Sequence, residues 1–136
     1  MGTWSVDSFG NDNACDWTYG LAGCNNLSLV EKTLDTVLTK GAKYLESTEA
    51  CEALVAIEAI ARLQGNWGDR DSYSEPVDSW VEKLGIVPSK ALAEKAQRVI
   101  ERILADESEL KELWEDSDEF DAWQSSVKNL ADRVNV

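Results

Sequence analysis

Residues 50–63 decide the fold: they read ACEALVAIEAIARL and are apolar on nearly every face of the helix that they predict. A helix that is hydrophobic all round is normally buried among other elements. Its alanines allow neighbouring helices to approach closely. Only Glu58 and Arg62 interrupt the stretch from Ala53 to Leu63. We therefore expect a central helix around which the rest of the chain packs.

Apolar residues recur at helical spacing on both sides of this stretch, and polar residues mark where helices start. The predicted starts are Asn11, Ser28, Ser47, Ser74, Ser89 and Asp106. Ser28 and Asp106 each precede a glutamate by three residues, which is the spacing of a capping box. Residues 1–10 lack helical spacing and predict an extended N-terminal hook. The fold class is therefore all-α: one compact domain over residues 1–136, with six or seven short helices around the apolar central helix.

Acidic side chains outnumber basic ones by two to one: 26 Asp and Glu stand against 13 Lys and Arg, which leaves a net charge of −13. A field of this sign repels phosphate backbones and anionic lipid headgroups, so neither nucleic acid nor a membrane is an expected partner. It favours basic proteins. Acidity also keeps a protein soluble, so the charge on its own does not require a partner.

The cysteines indicate the compartment. Cys15, Cys24 and Cys51 make an odd number without a CxxC spacing, whereas small secreted domains carry denser, even sets. The chain shows neither a signal peptide nor an apolar run long enough to span a bilayer. We predict free thiols and a cytoplasmic location.

The sequence contains no histidine, so the commonest general base is missing. Ser-His and Cys-His nucleophile pairs and His-ligated zinc sites are therefore excluded. Among the carboxylates Glu58 is the best catalytic candidate, because burial in the most apolar helix would raise its pKa. Arg62 follows one turn later and supports the alternative that we favour, a partly exposed structural ion pair.

A faint calcium-loop pattern is present where Asp69, Asp71, Tyr73 and Glu75 alternate. An EF-hand needs Gly at loop position 6 and Glu at position 12, and Ser74 and Trp80 stand there instead. We predict no catalytic residue, no metal ligand and no cofactor.

The segment 106–121 carries nine acidic residues against Lys111 alone and supplies −8 of the net charge. Aromatic residues are interleaved with the acids. One interpretation is two amphipathic helices whose acids simply face water. The functional interpretation is an acidic surface that docks a basic partner. The candidate interaction surface consists of Glu109, Glu112, Glu115, Asp116, Asp118, Glu119 and Asp121; we call it the acidic surface.

Six tryptophans are many for 136 residues, and most of them fall in apolar stripes, so core packing explains them first. Trp4 and Trp67 lie outside the predicted helices and are the better candidates for a surface role. We expect a structural clasp in which the N-terminal hook packs on the C-terminal helices. Its candidate members are Trp4, Phe9, Asn11, Asp12, Trp17, Leu110, Trp114 and Trp123.

Two stretches of the chain form a recognisable pair of motifs. They are Gly2-Thr3-Trp4, Phe9, Asn11-Asp12, Ala14 and Asp16-Trp17, and later Ser108-Glu109-Leu110, Leu113-Trp114-Glu115 and Trp123. With the Ala-rich central helix, they resemble the bacterial domain-of-unknown-function family numbered 4259. The resemblance spans essentially the whole chain and departs at Ser5, where Gly is expected, and at Cys15, where a hydrophobic residue is usual. It implies a small helical cytosolic protein and brings no activity, substrate or catalytic residue.

Three functional hypotheses follow. We favour a non-catalytic protein-binding module, regulatory or immunity-like, whose acidic surface engages a basic protein. The first alternative is a carboxylate-based metal-binding protein or enzyme that uses Glu58 or the loop 69–75. The second is a self-assembling structural module.

Overall fold

A computed structural model describes residues 8–40, 43–68 and 70–135, and within these ranges the chain forms seven helices and no strand. The helices are α1 (Asp12–Ala22), α2 (Ser28–Lys40), α3 (Ser47–Leu63), α4 (Glu75–Leu84), α5 (Lys90–Leu104), α6 (Glu109–Glu115) and α7 (Phe120–Arg133). The predicted all-α class is confirmed. Residues 1–7 of the predicted hook, including Trp4, lie outside the described residues, and the chain turns at Ser8 and Phe9.

The central helix is α3, as the apolar run predicts. It packs against each of the other six helices, and every residue from Ala53 to Leu63 is buried. Small side chains such as Ala56 and Ala59 are fully buried, which is consistent with close approach of the neighbouring helices. One hydrophobic core built around this helix holds the described residues together.

Several helix ends follow directly from the local sequence. Asn11 Oδ1 accepts a hydrogen bond from the Ala14 N–H at 2.8 Å, so Asn11 caps α1. Ser89 Oγ caps α5 in the same way, through the Leu92 N–H at 3.1 Å. Gly85 ends α4 in the left-handed conformation, at φ 60°, which favours glycine.

Both predicted capping boxes are wrong. Helix α2 begins at Ser28 itself, whose N–H donates to Asn26 Oδ1. Helix α6 begins at Glu109, and its carboxylate turns away from its own helix: Oε1 accepts the Ser47 N–H at 2.7 Å. The start of α3 is therefore capped by a side chain of α6, and Ser47 is not its own cap.

A short backbone pairing holds the α2–α3 connection against the start of α6. The Leu45 N–H donates to the Glu107 carbonyl at 2.8 Å, and the Glu109 N–H donates to the Leu45 carbonyl at 2.9 Å. Arg102 of α5 reinforces the junction by donating to the carbonyl oxygens of Lys43 and Glu107. This pairing places Tyr44 beside α6.

Side-chain amides fix the end of α7. Gln97 Nε2 of α5 donates to the carbonyl oxygens of Ala131 and Val134, at 2.8 and 2.9 Å. Asn66, just after α3, donates to the Arg133 carbonyl at 2.7 Å. These bonds bring side-chain donors to carbonyl groups at the end of α7, and they position Arg133 over α3.

Candidate functional site

The acidic surface lies on α6, the following turn and the start of α7. A serine organises the turn: the N–H and Oγ of Ser117 both donate to the Trp114 carbonyl, and the Glu119 N–H donates to Ser117 Oγ. All members of the acidic surface except Glu109 are exposed. The sequence motif therefore brings six carboxylates to water over a short, hydrogen-bonded stretch.

The opposite side of this stretch is packed into the core. Leu110, Trp114 and Trp123 are buried, and the two indole rings stack with centroids 6.4 Å apart and an interplanar angle of 10°. Phe120 lies against Trp123, at 6.0 Å between centroids. Helices α6 and α7 thus behave as the amphipathic pair that the sequence predicts, with acids outside and aromatic rings inside.

Most of the negative charge on the acidic surface is not compensated by ion pairs in the described residues. Lys111 Nζ lies 3.6 Å from Asp106, just outside the surface. Within the described part of the chain, no basic side chain forms an ion pair with any of the six exposed carboxylates. Leu113 is exposed between Glu112 and Trp114, which adds an apolar side chain to this charged face.

Two members of the acidic surface also have partners on the α2–α3 connection or at the start of α3. Glu109 is half-buried and caps α3, so its first role is structural. Glu112 Oε1 accepts a hydrogen bond from the Tyr44 hydroxyl at 2.7 Å. This bond, with smaller contributions from burial and from neighbouring glutamates, raises the pKa of Tyr44 to about 12. Tyr44 thereby becomes part of the surface, which spacing along the chain did not indicate.

The predicted clasp is only partly assembled in the described residues. The Arg62 guanidinium lies over the Phe9 ring, 5.2 Å from the ring centroid. Trp17 Nε1 donates a hydrogen bond to Thr33 of α2 at 3.0 Å. No ring contact among the described residues joins either of them to Trp114. Because Trp4 lies outside those residues, the clasp as a whole stays a prediction.

A second region of interest is a polar cavity of about 530 Å³ between α3, α7 and the loop after α3. Its lining residues are Phe9, Glu58, Arg62, Trp67, Gly68, Asp71, Ser126, Asn129 and Arg133. Glu58, the catalytic candidate, lies in its wall. The cavity is where a carboxylate-based site would have to be.

Glu58 is engaged by two arginines. Arg62 Nε lies 3.3 Å from Glu58 Oε2, and Arg133 donates to Oε1 at 2.7 Å and to Oε2 at 3.1 Å. The pair with Arg62 is the one predicted from its i, i+4 spacing, but it is buried rather than partly exposed: Glu58 is 6% exposed and Arg62 is 2% exposed. The predicted partial exposure is wrong because α7 covers that face of α3.

The ion pairs continue from α3 to α4. Arg62 Nη1 donates to Asp78 at 2.6 Å, and Arg70 pairs with Asp78 at 3.4 Å and with Glu82 at 3.0 Å. We call Glu58, Arg62, Arg70, Asp78 and Arg133 the charge cluster.

The ring of Trp67 lies beside the charge cluster, with the Arg70 guanidinium 4.4 Å and the Arg62 guanidinium 5.5 Å from its centroid. Trp67 is therefore a platform for arginines rather than a free surface ring. The carboxylates of Glu58 and Asp78 pair with guanidinium groups, which is the arrangement of a structural ion network.

The loop proposed as a calcium alternative is organised by hydrogen bonds to its own backbone. Asp71 Oδ1 accepts the N–H groups of Tyr73 and Ser74 at 2.9 and 3.0 Å. Asp69 lies outside the described residues. Across ranges 8–40, 43–68 and 70–135, no group of three or more Cys, Asp and Glu side chains is arranged to hold a metal ion.

Comparison with known proteins gives one match. The family model described as "Domain of unknown function (DUF4259)" matches residues 2–126. The chain belongs to the DUF4259 family. The match covers the acidic surface, Tyr44 and all of the charge cluster except Arg133, which lies beyond it. No match was found among curated proteins or solved structures.

None of the helices in the described ranges combines the length and the apolar character needed to cross a bilayer. All three cysteines are unpaired; Cys51 is buried in α3, and Cys15 and Cys24 are half-buried. Burial, together with the negative charges of Asp12 and Asp16, raises the pKa of Cys15.

Proposed function

We propose that this DUF4259 protein is a non-catalytic binding module that engages a basic protein through its acidic surface. The observation that carries the proposal is the group of six exposed carboxylates that have no cationic partner in the described structure. Like charges held together without compensation cost stability, and a basic partner would relieve that cost.

The support beneath these carboxylates makes the surface suitable for recognition. The stacked rings of Trp114 and Trp123 fix α6 on α7, and Ser117 fixes the turn between them. A surface that is ordered before binding loses little conformational freedom in the complex. The net charge of −13 adds long-range attraction and would speed encounter with a basic protein.

The non-catalytic half of the proposal rests on Glu58. The sequence has no histidine, and the carboxylate best placed for chemistry accepts hydrogen bonds from two guanidinium groups. Guanidinium groups already occupy both of its carboxylate oxygens. Its contacts instead join α3 to α7.

The test compares two variants of equal charge. The neutralised-surface variant carries Glu115→Gln, Asp116→Asn, Asp118→Asn and Glu119→Gln. The control-charge variant carries Asp16→Asn, Glu94→Gln, Glu101→Gln and Asp132→Asn, four exposed acids outside the acidic surface. Each variant removes four negative charges from the net −13.

Immobilised wild-type protein is exposed to host lysate at low salt, and bound proteins are identified by mass spectrometry. We expect a basic protein that also binds the control-charge variant, is lost from the neutralised-surface variant and is released as salt is raised. Equal loss from both variants would mean that only the diffuse negative field attracts basic proteins. Absence of any partner at low salt would contradict the proposal.

A further inference from the structure

Tyr44 stands out among the exposed aromatic residues because its position is fixed at both its backbone and its hydroxyl. Tyr44 is 42% exposed, and its hydroxyl donates a hydrogen bond to Glu112 at 2.7 Å. The next residue, Leu45, donates its N–H to the Glu107 carbonyl and accepts the Glu109 N–H at its own carbonyl. Arg102 holds the preceding carbonyl, that of Lys43. The ring is therefore ordered before any partner arrives.

Three negative charges act on the Tyr44 hydroxyl. Glu107, Glu109 and Glu112 each act on the Tyr44 hydroxyl electrostatically. Glu112 offers only Oε1 to Tyr44, and its Oε2 takes no hydrogen bond from the described residues. A partly exposed aromatic ring thus lies beside a carboxylate oxygen that can accept a further N–H group.

We infer that Tyr44 and Glu112 together form the seat for an arginine side chain of the basic partner. The inference rests on the proposed function and assigns one contact within it. A guanidinium group can stack flat on an aromatic ring while its edge donates to a carboxylate, whereas a compact ammonium group has no planar face to stack. The Tyr44 ring and the Glu112 carboxylate lie together on one ordered part of the surface.

The test uses defined synthetic peptides as probes. Three nine-residue peptides carry four Arg, four Lys or four citrulline residues in the same Gly-Ser background. Binding is measured by fluorescence anisotropy of labelled peptide and mapped by amide chemical shifts of ¹⁵N-labelled protein. Tyr44→Leu removes the ring, and Tyr44→Phe keeps the ring and removes the hydroxyl. Tyr19→Leu is the control at a more exposed tyrosine, which is 76% exposed against 42% for Tyr44.

We expect the Arg peptide to bind more tightly than the Lys peptide, and the citrulline peptide not to bind. Tyr44→Leu should weaken the Arg peptide about threefold, which is the size of an exposed cation–π contact. Tyr19→Leu should leave binding unchanged, and Tyr44→Phe should fall between wild type and Tyr44→Leu. The shift changes should centre on the amides of Leu45, Glu112 and Leu113.

The results distinguish a failure of the inference from a failure of the function on which it rests. If Tyr44→Leu binds the Arg peptide like wild type while the neutralised-surface variant loses binding, the seat is wrong and the acidic surface stands. If both variants bind like wild type, or if the shifts spread evenly over Asp16, Glu94 and the other exposed acids, both are wrong. Equal binding of Arg and Lys peptides would overturn the preference for a guanidinium group.

Discussion

Arg133 donates two parallel hydrogen bonds to Glu58, at 2.7 and 3.1 Å, across a separation of 75 residues. This contact joins the last turn of α7 to the middle of α3. Because Glu58 is 6% exposed, its ion-pair partners are the guanidinium groups around it rather than water. Removing one partner of a buried pair leaves the other charge poorly compensated.

Arg133→Met should therefore destabilise the protein although it keeps most of the side-chain volume. We expect the free energy of unfolding to fall by about 2–3 kcal/mol, at the low end for a broken buried pair, because Arg62 still compensates Glu58. Urea unfolding followed by tryptophan fluorescence measures the change. Arg98→Met, an exposed arginine of α5, is the control and should cost under about 0.5 kcal/mol. Equal costs for the two variants would show that Arg133 adds nothing through Glu58.

Gly68 is predicted to matter because it leaves room for Arg133. A Cβ at this position would lie 2.8 Å from Arg133 Nη1 and 2.9 Å from its Cζ. The hydrogen bonds to Glu58 prevent the guanidinium from moving freely, so Gly68→Ala should cost about 1–2 kcal/mol. In the Arg133→Met background the same substitution should cost under about 0.5 kcal/mol, which a double-mutant cycle measures. Additive costs would indicate that the strain arises elsewhere.

Glu109 is predicted to stabilise the fold through the α3 N-terminus. Glu109→Ala removes the acceptor of the Ser47 N–H and should cost about 1 kcal/mol, the usual size of an N-cap interaction. Glu109→Gln keeps an amide oxygen in place and should cost less. Glu115→Ala, on the exposed face of the same helix, serves as the control in the same thermal and urea melts. The idea fails if Glu115→Ala costs as much as Glu109→Ala.

The sequence pattern was sufficient wherever the structure depends on neighbours along the chain. The apolar run of residues 50–63 predicted the buried central helix, and Asn11 and Ser89 predicted two helix starts that the hydrogen bonds confirm. The amphipathic spacing around Trp114 predicted which side of α6 faces the core.

Contacts between distant residues could not be predicted in this way. Glu109 follows an aspartate at capping-box spacing, yet it caps a helix that begins 62 positions earlier, because the pairing of Leu45 with residues 107–109 brings the two helix starts together. The Glu58–Arg62 pair was predicted to be partly exposed because the sequence shows only Arg62 as a local partner, whereas Arg133 is 75 positions away. Tyr44 carries no local signal at all, since its role arises from a hydrogen bond across 68 positions.

Cys51 is predicted to lower the stability of the folded protein as the pH becomes alkaline. Burial in α3 raises the pKa of Cys51 from 9.0 to about 12. Above pH 9 the unfolded chain loses this proton while the folded chain keeps it, so stability is complete below about pH 9 and declines from there towards pH 12.

The Cys51→Ala variant isolates this effect. Relative to that variant, wild type should lose about 1.4 kcal/mol of stability between pH 7.5 and pH 10. Cys24→Ala, at a half-buried position, should keep the wild-type slope. Parallel pH profiles for wild type and Cys51→Ala would show that the buried thiol does not govern the slope.

Moderate salt is predicted to raise the melting temperature, because the net charge of −13 includes a dense group of exposed carboxylates without cationic partners. Salt screens repulsion between exposed charges, whereas the buried pairs around Glu58 are screened much less. We therefore expect the melting temperature to rise by a few degrees between about 0.05 and 0.5 M NaCl, measured by calorimetry.

This rise should be smaller in the neutralised-surface variant than in the control-charge variant, because both lose four charges but only the first loses charges that lie close together. An unchanged or lower melting temperature in wild type would mean that the acids already have compensating partners, and the main support for a basic binding partner would then be lost.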